Sequence, residues 1–153
     1  MLTVYCVIMI FLKSFFLFLD CTMSNSFGKK YRLKGKKVVS EIFEGPKNSI
    51  SLFPFKAFYS ISISNQSQLK FGVSVPKKKF KRAVDRNRIK RLVKEVLRLN
   101  KSILNNDLSK QNVSIYVMIL FNGEKIPSYN SVEIKIKEIL NRLVLGVRSY
   151  EKK

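Results

Sequence analysis

The chain has 153 residues, of which 30 are Lys or Arg and 10 are Asp or Glu, so its net charge is +20. Because 46% of the residues are hydrophobic, the sequence is too apolar for a disordered basic tail. Its length is sufficient for one domain with a modest core. A positive charge of this size predicts a polyanionic partner, with nucleic acid first and an anionic membrane second.

Residues 2–19 form an apolar segment that differs from the rest of the chain, and three interpretations of it stay open. As a transmembrane helix it is at the short limit of length and carries Lys13 within it. It lacks the basic start and the small-residue cleavage site of a secretory signal. The other two interpretations are translation that starts at Met23, and a buried helix. We favour the start at Met23, which leaves residues 1–22 outside the fold and residues 23–153 as a single domain.

The elements before the basic segment are one helix and three strands. Residues 36–44 place Val38, Val39, Ile42 and Phe43 on one helical face, and Gly45-Pro46 follows. Residues 57–64 alternate polar and apolar side chains in their second half, which is typical of a strand with one solvent-exposed face. A polar turn leads to a second strand over 70–75, and residues 49–53 are predicted as a short edge strand.

Residues 77–101 hold 12 basic residues and two acids, so this segment carries +10, half of the net charge. Its apolar residues Ile89, Leu92, Val93 and Val96 have the spacing of a core-facing helical stripe. A second face is cationic, and we expect residues 77–81 to form a flexible cationic loop before the helix. The cationic face consists of Arg86, Lys90, Lys94 and Arg98, with Arg91 alongside. Solvated helix faces usually mix charge signs, so this face favours RNA binding.

The end of the domain is predicted as a buried strand over 113–121 and a helix over 131–144. The strand is the most apolar run of the domain, which suits a central position in a sheet. The helix carries one apolar stripe: Val132, Ile136, Ile139, Leu140 and Leu143. The order of elements predicts an α/β protein with one sheet and helices packed on it.

Residue content argues against a catalytic site carried by the protein itself. The chain has no histidine, which excludes imidazole acid–base catalysis. The carboxylates of the domain are scattered along the sequence, whereas metal-dependent nucleases need them clustered. Both cysteines, Cys6 and Cys21, precede Met23, so neither a disulfide framework nor a thiol nucleophile is expected in the domain, and a reducing compartment fits. Any chemistry is therefore expected from a partner.

Two motifs carry a resemblance to a known family. Residues 71–78 read Phe-Gly-Val-Ser-Val-Pro-Lys-Lys, and residues 83–91 read Ala-Val-Asp-Arg-Asn-Arg-Ile-Lys-Arg. Together they resemble the signature of the bacterial ribonuclease P protein subunit, and Phe27, Arg32-Leu33 and Phe43 match its start. The resemblance covers roughly residues 27–144. It departs from the family at Val39, where an aromatic residue is common, and at residues 79–82, which are one residue longer and lack a glycine.

The resemblance implies a two-layer α/β (α+β) sandwich, with a four-stranded mixed sheet, three helices and a left-handed βαβ crossover. It also implies a cytoplasmic protein that binds a catalytic RNA and the 5′ leader of precursor tRNA, with no stable membrane partner. The RNA would hold Mg²⁺ and cleave, and the protein would bind no cofactor itself. The residues implied to contact or lie near the catalytic RNA are Lys77, Lys78, Arg86, Asn87, Arg88, Lys90 and Arg91; the charge pattern adds Lys94 and Arg98. The leader cleft would include Phe43, and Phe58 or Tyr59.

Three alternatives stay open at this point. Phe43 could be a core-packing residue instead of a contact for the leader. The whole domain could be a structural RNA-binding protein of the ribosomal type, without a role in cleavage. A basic protein anchored in a membrane by residues 2–19 is the other candidate.

Overall fold

Four strands and four α-helices make up the part of the chain that the computed structural model describes, residues 28–33, 35–44, 48–64, 67–108 and 113–150. The strands are β1 (Asn48–Leu52), β2 (Phe55–Ile63), β3 (Leu69–Ser74) and β4 (Val113–Phe121). The helices are α1 (Lys36–Glu44), α2 (Ala83–Asn100), α3 (Ser102–Leu108) and α4 (Tyr129–Tyr150), and a short 3-10 helix spans Lys29–Tyr31. Every predicted helix and strand is present. The expected number of three helices is wrong, because α3 is an additional one. Residues 1–22 lie outside the described residues.

The strands form one mixed sheet in the order β1-β2-β4-β3. β2 pairs antiparallel with β1 and with β4, whereas β3 is parallel to β4. Parallel neighbours need a crossover connection, and α2 and α3 supply it between β3 and β4. This arrangement confirms the predicted α+β class. The left hand of the βαβ unit stays a prediction from the resemblance.

The hydrophobic core lies where α2 and α4 pack on the sheet. The α4 stripe is confirmed, since its five predicted members are fully buried, and Val147 extends it. This additional burial accounts for a helix that continues to Tyr150 instead of ending at residue 144. In α2 the buried residues are Ile89, Val93, Val96 and Leu97. The buried stripe therefore includes Leu97, whereas Leu92, which the sequence predicted in it, is only half-buried.

β4 is the central strand on which the other parts of the sheet depend. It is hydrogen-bonded to β2 on one side and to β3 on the other. Its residues are buried except Tyr116 and Leu120, which are half-buried. A strand covered on both faces needs apolar side chains on both, which is why the continuous apolar run at residues 113–121 predicts its bounds correctly.

The sheet face opposite the core, hereafter the outer face, is covered in part by α1. Residues that pair across strands share a face, so Phe58, Met118 and Gly72 lie in one row on the outer face. Ile42 of α1 and Met118 are buried, outside the main core cluster. A Cβ atom on Gly72 would lie 2.7 Å from Met118 Cε, so the glycine of the motif lets Met118 pack against the strand.

α3 and the 3-10 helix cover the side of the domain next to β3. Arg32 forms a parallel bridge with Phe71, and the Leu33 amide donates to the Phe71 carbonyl at 3.0 Å. Asn105 of α3 donates to the Tyr31 hydroxyl at 3.3 Å, and Lys101 Nζ lies 4.6 Å from the centre of the Tyr31 ring. The α3 sequence is rich in asparagine and has low helix propensity. Burial of Leu104 and contact with α4, both tertiary effects, accompany its helical structure.

Candidate nucleic-acid interface

α2 presents its motif residues to solvent because its opposite side is fixed in the core. Asn87, Arg88 and Arg91 are exposed, and Lys90 is half-buried at the flank of the helix. Asp85 lies in the first turn, where the positive end of the helix dipole stabilises its negative charge. The α2 surface, as the term is used below, consists of Asn87, Arg88, Lys90, Arg91 and Lys94. Its four cations form a rigid row suited to a phosphate backbone.

One strip of the solvent side of α2 carries both polar and apolar side chains. It includes Val84, Asn87, Arg88, Arg91, Leu92 and Glu95. Val84 is 76% exposed, so the strip combines guanidinium donors with accessible apolar surface. Such a mixture suits a nucleic acid, which offers phosphates to the Arg forks and sugar or base surface to apolar groups.

Arg98, predicted as a member of the cationic face, is engaged by an acid of its own helix. Its Nη2 and Nε atoms donate to the two carboxylate oxygens of Glu95 at 2.6 and 3.0 Å. The hydrogen bond from Arg98 lowers the pKa of the Glu95 carboxyl, and the same contact raises the pKa of the Arg98 guanidinium. The pair therefore keeps its charges at neutral pH, and Glu95 offsets part of the positive potential at this end of the helix.

Arg86 is also engaged within the protein. Its Nη1 atom donates to the backbone carbonyls of Phe80 and Lys81 at 2.8 and 2.7 Å. Lys79 Nζ donates to the Asn122 carbonyl at 2.6 Å, and the Phe80 ring is buried in the core. The expectation of a flexible loop over residues 77–81 is therefore corrected: the loop is attached to the domain at three places.

Lys94 lies in a locally positive environment created by Arg32 and Lys90. Partial burial lowers the pKa of the Lys94 amine most, and the charges of Arg32 and Lys90 lower it further. Arg32 reaches this position because its bridge to Phe71 places it beside the strand that α2 covers. Sequence reasoning did not include Arg32 in the site, since it is far from α2 along the chain.

The outer face of the sheet carries aromatic rings and lysines in neighbouring rows. The rings of Phe43 and Phe58 have centroids 5.1 Å apart, and Phe43 is 42% exposed. Lys56 Nζ lies 5.0 Å from the Phe58 ring centre. Lys70 Nζ lies 5.5 Å from the ring centre of Tyr116. Half-exposed rings beside lysines can stack bases and neutralise phosphates of a single strand.

Only part of the predicted leader cleft is assembled on this face. Phe43 and Phe58 are in contact there, whereas Tyr59 follows Phe58 directly and so points to the other side of the sheet. A Cβ atom on Gly146 of α4 would lie 3.1 Å from the Tyr59 hydroxyl, and Tyr59 packs against the core. Lys56, Lys70 and Tyr116 were missed. The strand register places them on the same face of the sheet as Phe58. The alternation of side chains along each strand would have indicated them only once that register was known.

Neither a metal-binding group of side chains nor a membrane-spanning helix is found among the described residues. No three or more Asp, Glu, His or Cys side chains are grouped there in a way that could hold a metal ion. In the same part of the chain, no helix combines the length and the apolar character needed to cross a membrane.

Comparison with known sequences identifies the family. The model of the ribonuclease P family matches residues 27–144. The ribonuclease P protein component of Porphyromonas gingivalis is 31% identical over 131 residues, covering 84% of this chain and 95% of that protein. That of Chlorobaculum tepidum is 31% identical over 120 residues, covering 72% of this chain and 78% of that protein.

Solved structures with the same fold come from the same family. The RNase P protein of Staphylococcus aureus has a TM-score of 0.54 at 22% identity, covering 75% of this chain and 96% of that one. The RNase P protein of Thermotoga maritima also has a TM-score of 0.54, at 23% identity, covering 72% of this chain and 96% of that one. These likenesses support the fold, and the sequence matches support the family. The chain belongs to the ribonuclease P protein component family, whose known role is the processing of tRNA 5′ ends.

Proposed function

We propose that this chain is the non-catalytic subunit of a ribonuclease P, in which the α2 surface binds the catalytic RNA and the outer face receives the 5′ leader of precursor tRNA. The RNA subunit would hold the magnesium ions and cleave the phosphodiester bond. The protein would bind no cofactor of its own and would act in the cytoplasm with its RNA partners. The function follows from binding alone: the protein would hold the leader while the RNA positions the scissile bond.

One observation carries the proposal: the domain has two different surfaces that suit RNA, on separate layers of the fold. The α2 surface is cationic, rigid and helical, which suits phosphates of a structured RNA. The outer face instead offers the Phe43–Phe58 ring pair with Lys56 nearby, which suits an unpaired strand with little sequence preference. A structural RNA-binding protein needs only the first surface, whereas assistance in leader removal needs both.

The deciding experiment measures cleavage of precursor tRNA by the cognate catalytic RNA at limiting Mg²⁺, with and without the protein. We expect the protein to stimulate cleavage and to favour precursor over mature tRNA. Binding of the catalytic RNA without any stimulation would support the structural RNA-binding alternative and contradict the proposal.

Two double variants separate the surfaces. Replacing Lys90 and Arg91 by alanine should weaken binding to the catalytic RNA and reduce the log–log salt slope by about 1.4–1.8, if each contacts one phosphate. Replacing Lys56 and Lys70 should preserve that affinity and reduce the preference for precursor tRNA. The matched control removes two charges from α4, at Lys135 and Lys137, and should change neither quantity.

A further inference from the structure

The loop that joins β3 to α2 is folded around one aromatic side chain. Phe80 is 7% exposed, and its ring centre lies 5.9 Å from that of Phe121 in β4. The amides of Lys79 and Phe80 both donate to the Pro76 carbonyl, at 3.3 and 3.2 Å. A buried ring and a closed turn hold the middle of the loop against the end of the sheet.

Arg86 holds the second half of this loop from the first turns of α2. A single guanidinium nitrogen bridges two consecutive carbonyls, those of Phe80 and Lys81. These carbonyls precede the helix, so they have no place in its hydrogen-bond ladder, and a charged donor satisfies them strongly. The Arg86 side chain is half-buried beneath the loop, a position in which its donors serve the backbone and are less available to an outside phosphate.

The loop holds five cations, of which one is bound within the protein and four face solvent. Lys79 donates to the Asn122 carbonyl at the end of β4. Lys77, Lys78, Lys81 and Arg82 are exposed. Four cations within six residues repel one another, so a loop without attachments would spread them apart. The attachments through Phe80, Lys79 and Arg86 oppose that repulsion and keep the four charges close together.

We propose that residues 77–82 form a preformed phosphate-binding loop and that Arg86 is its positioning residue, not an RNA contact. This inference rests on the proposed function and adds Lys81 and Arg82 to the RNA-binding residues. Preorganisation matters because an ordered loop loses less conformational entropy when RNA binds. The charges that displace counterions would be those of the loop, whereas Arg86 would set only how well they are arranged.

The test is the salt dependence of binding to the catalytic RNA by Arg86→Ala and Arg86→Lys. We expect Arg86→Ala to weaken binding about five- to tenfold, equivalent to ordering one or two long side chains. Its log–log salt slope should equal that of the wild type, because no phosphate contact is lost. Arg86→Lys keeps the charge without the planar fork and should also bind less tightly at an unchanged slope. A slope lower by about 0.7–0.9 in Arg86→Ala, restored in Arg86→Lys, would show a direct phosphate contact and overturn the proposal.

A double-mutant cycle provides a second, independent result. Lys81→Ala with Arg82→Ala should lower the slope by about 1.4–1.8, and Arg86→Ala should then add little further loss of affinity. The control is Arg88→Ala, an exposed residue of the same helix, whose effect should add fully to that of the loop variant. Full additivity of Arg86→Ala with the loop variant would contradict the positioning role.

A readout without RNA completes the design. Trypsin should cut the loop after its lysines faster in Arg86→Ala than in the wild type, while both proteins melt at similar temperatures. Equal cleavage rates would count against the attachment. Stimulation of precursor-tRNA cleavage by the wild type is measured in parallel, so failure of the proposed function appears there, whereas failure of this inference appears only in the Arg86 comparisons.

Discussion

Phe43 allows a sharp test of whether the outer face receives the leader. It lies near the end of α1, is 42% exposed and contacts the Phe58 ring. A fully buried Phe→Ala change costs about 3–5 kcal/mol. Phe43 buries slightly more than half of its surface, so Phe43→Ala should cost about 2–3 kcal/mol and lower Tm by roughly 10 °C. A domain of ordinary stability, about 5–15 kcal/mol, remains folded after this loss.

The functional effect of the same change has a different size and a different target. Stacking of one base on an aromatic ring is worth about 1–3 kcal/mol, which corresponds to a loss of roughly 5- to 150-fold in affinity. We expect this loss for precursor tRNA only, measured as the ratio of precursor to mature tRNA affinity of the assembled enzyme. Affinity for the catalytic RNA should stay the same, because the α2 surface is untouched.

Two matched variants separate packing from stacking. Phe43→Leu keeps most of the packing volume and removes the aromatic face, so it should melt near the wild type and still lose precursor preference. Phe53→Ala removes a ring that is 76% exposed between β1 and β2, away from the Phe43–Phe58 pair, and should change neither property. If Phe43→Leu kept the full precursor preference, or if Phe43→Ala weakened precursor and mature tRNA equally, the leader assignment of Phe43 would be refuted.

Three further predictions concern charge and the N-terminal segment. Glu95→Gln should strengthen RNA binding, because it removes a negative charge that offsets the positive potential of α2. The pKa of Glu95 is lowered by its hydrogen bond with Arg98. The small stabilisation from this pair is therefore present above the ordinary carboxyl pKa and is lost as pH falls through the lowered value. The melting temperatures of the wild type and Glu95→Gln, measured between pH 2 and 7, should converge at the acid end. The pKa of Lys94 is lowered by burial and by Arg32 and Lys90, so the unfolded chain binds this proton more tightly and stability should rise as pH approaches the ordinary lysine value. Lys94→Met should abolish that rise and raise Tm slightly while weakening RNA binding. Finally, a chain that begins at Met23 should fold and stimulate precursor-tRNA cleavage as strongly as the 153-residue chain; weaker stimulation by the shorter chain would contradict this.

Much of the fold was determined by local patterns in the sequence. The bounds of β4 follow from its uninterrupted apolar run, and the buried stripe of α4 follows from helical spacing, because both elements are apolar wherever they are covered. The position and amphipathic character of α2 also follow from the sequence, because its apolar and cationic residues recur with the period of a helix. Each of these properties depends only on neighbours within about ten residues along the chain.

The composition of the site was decided by tertiary contacts. Phe58 and Tyr59 are equivalent as sequence, and only the strand register places Phe58 beside Phe43 and turns Tyr59 toward α4. Arg86 and Arg98 match Lys90 in periodicity, yet one is bound to loop carbonyls and the other to Glu95. Arg32 and Tyr116 join the site from distant parts of the chain. Periodicity states which face of an element a side chain occupies, whereas the partner on that face depends on how the elements pack.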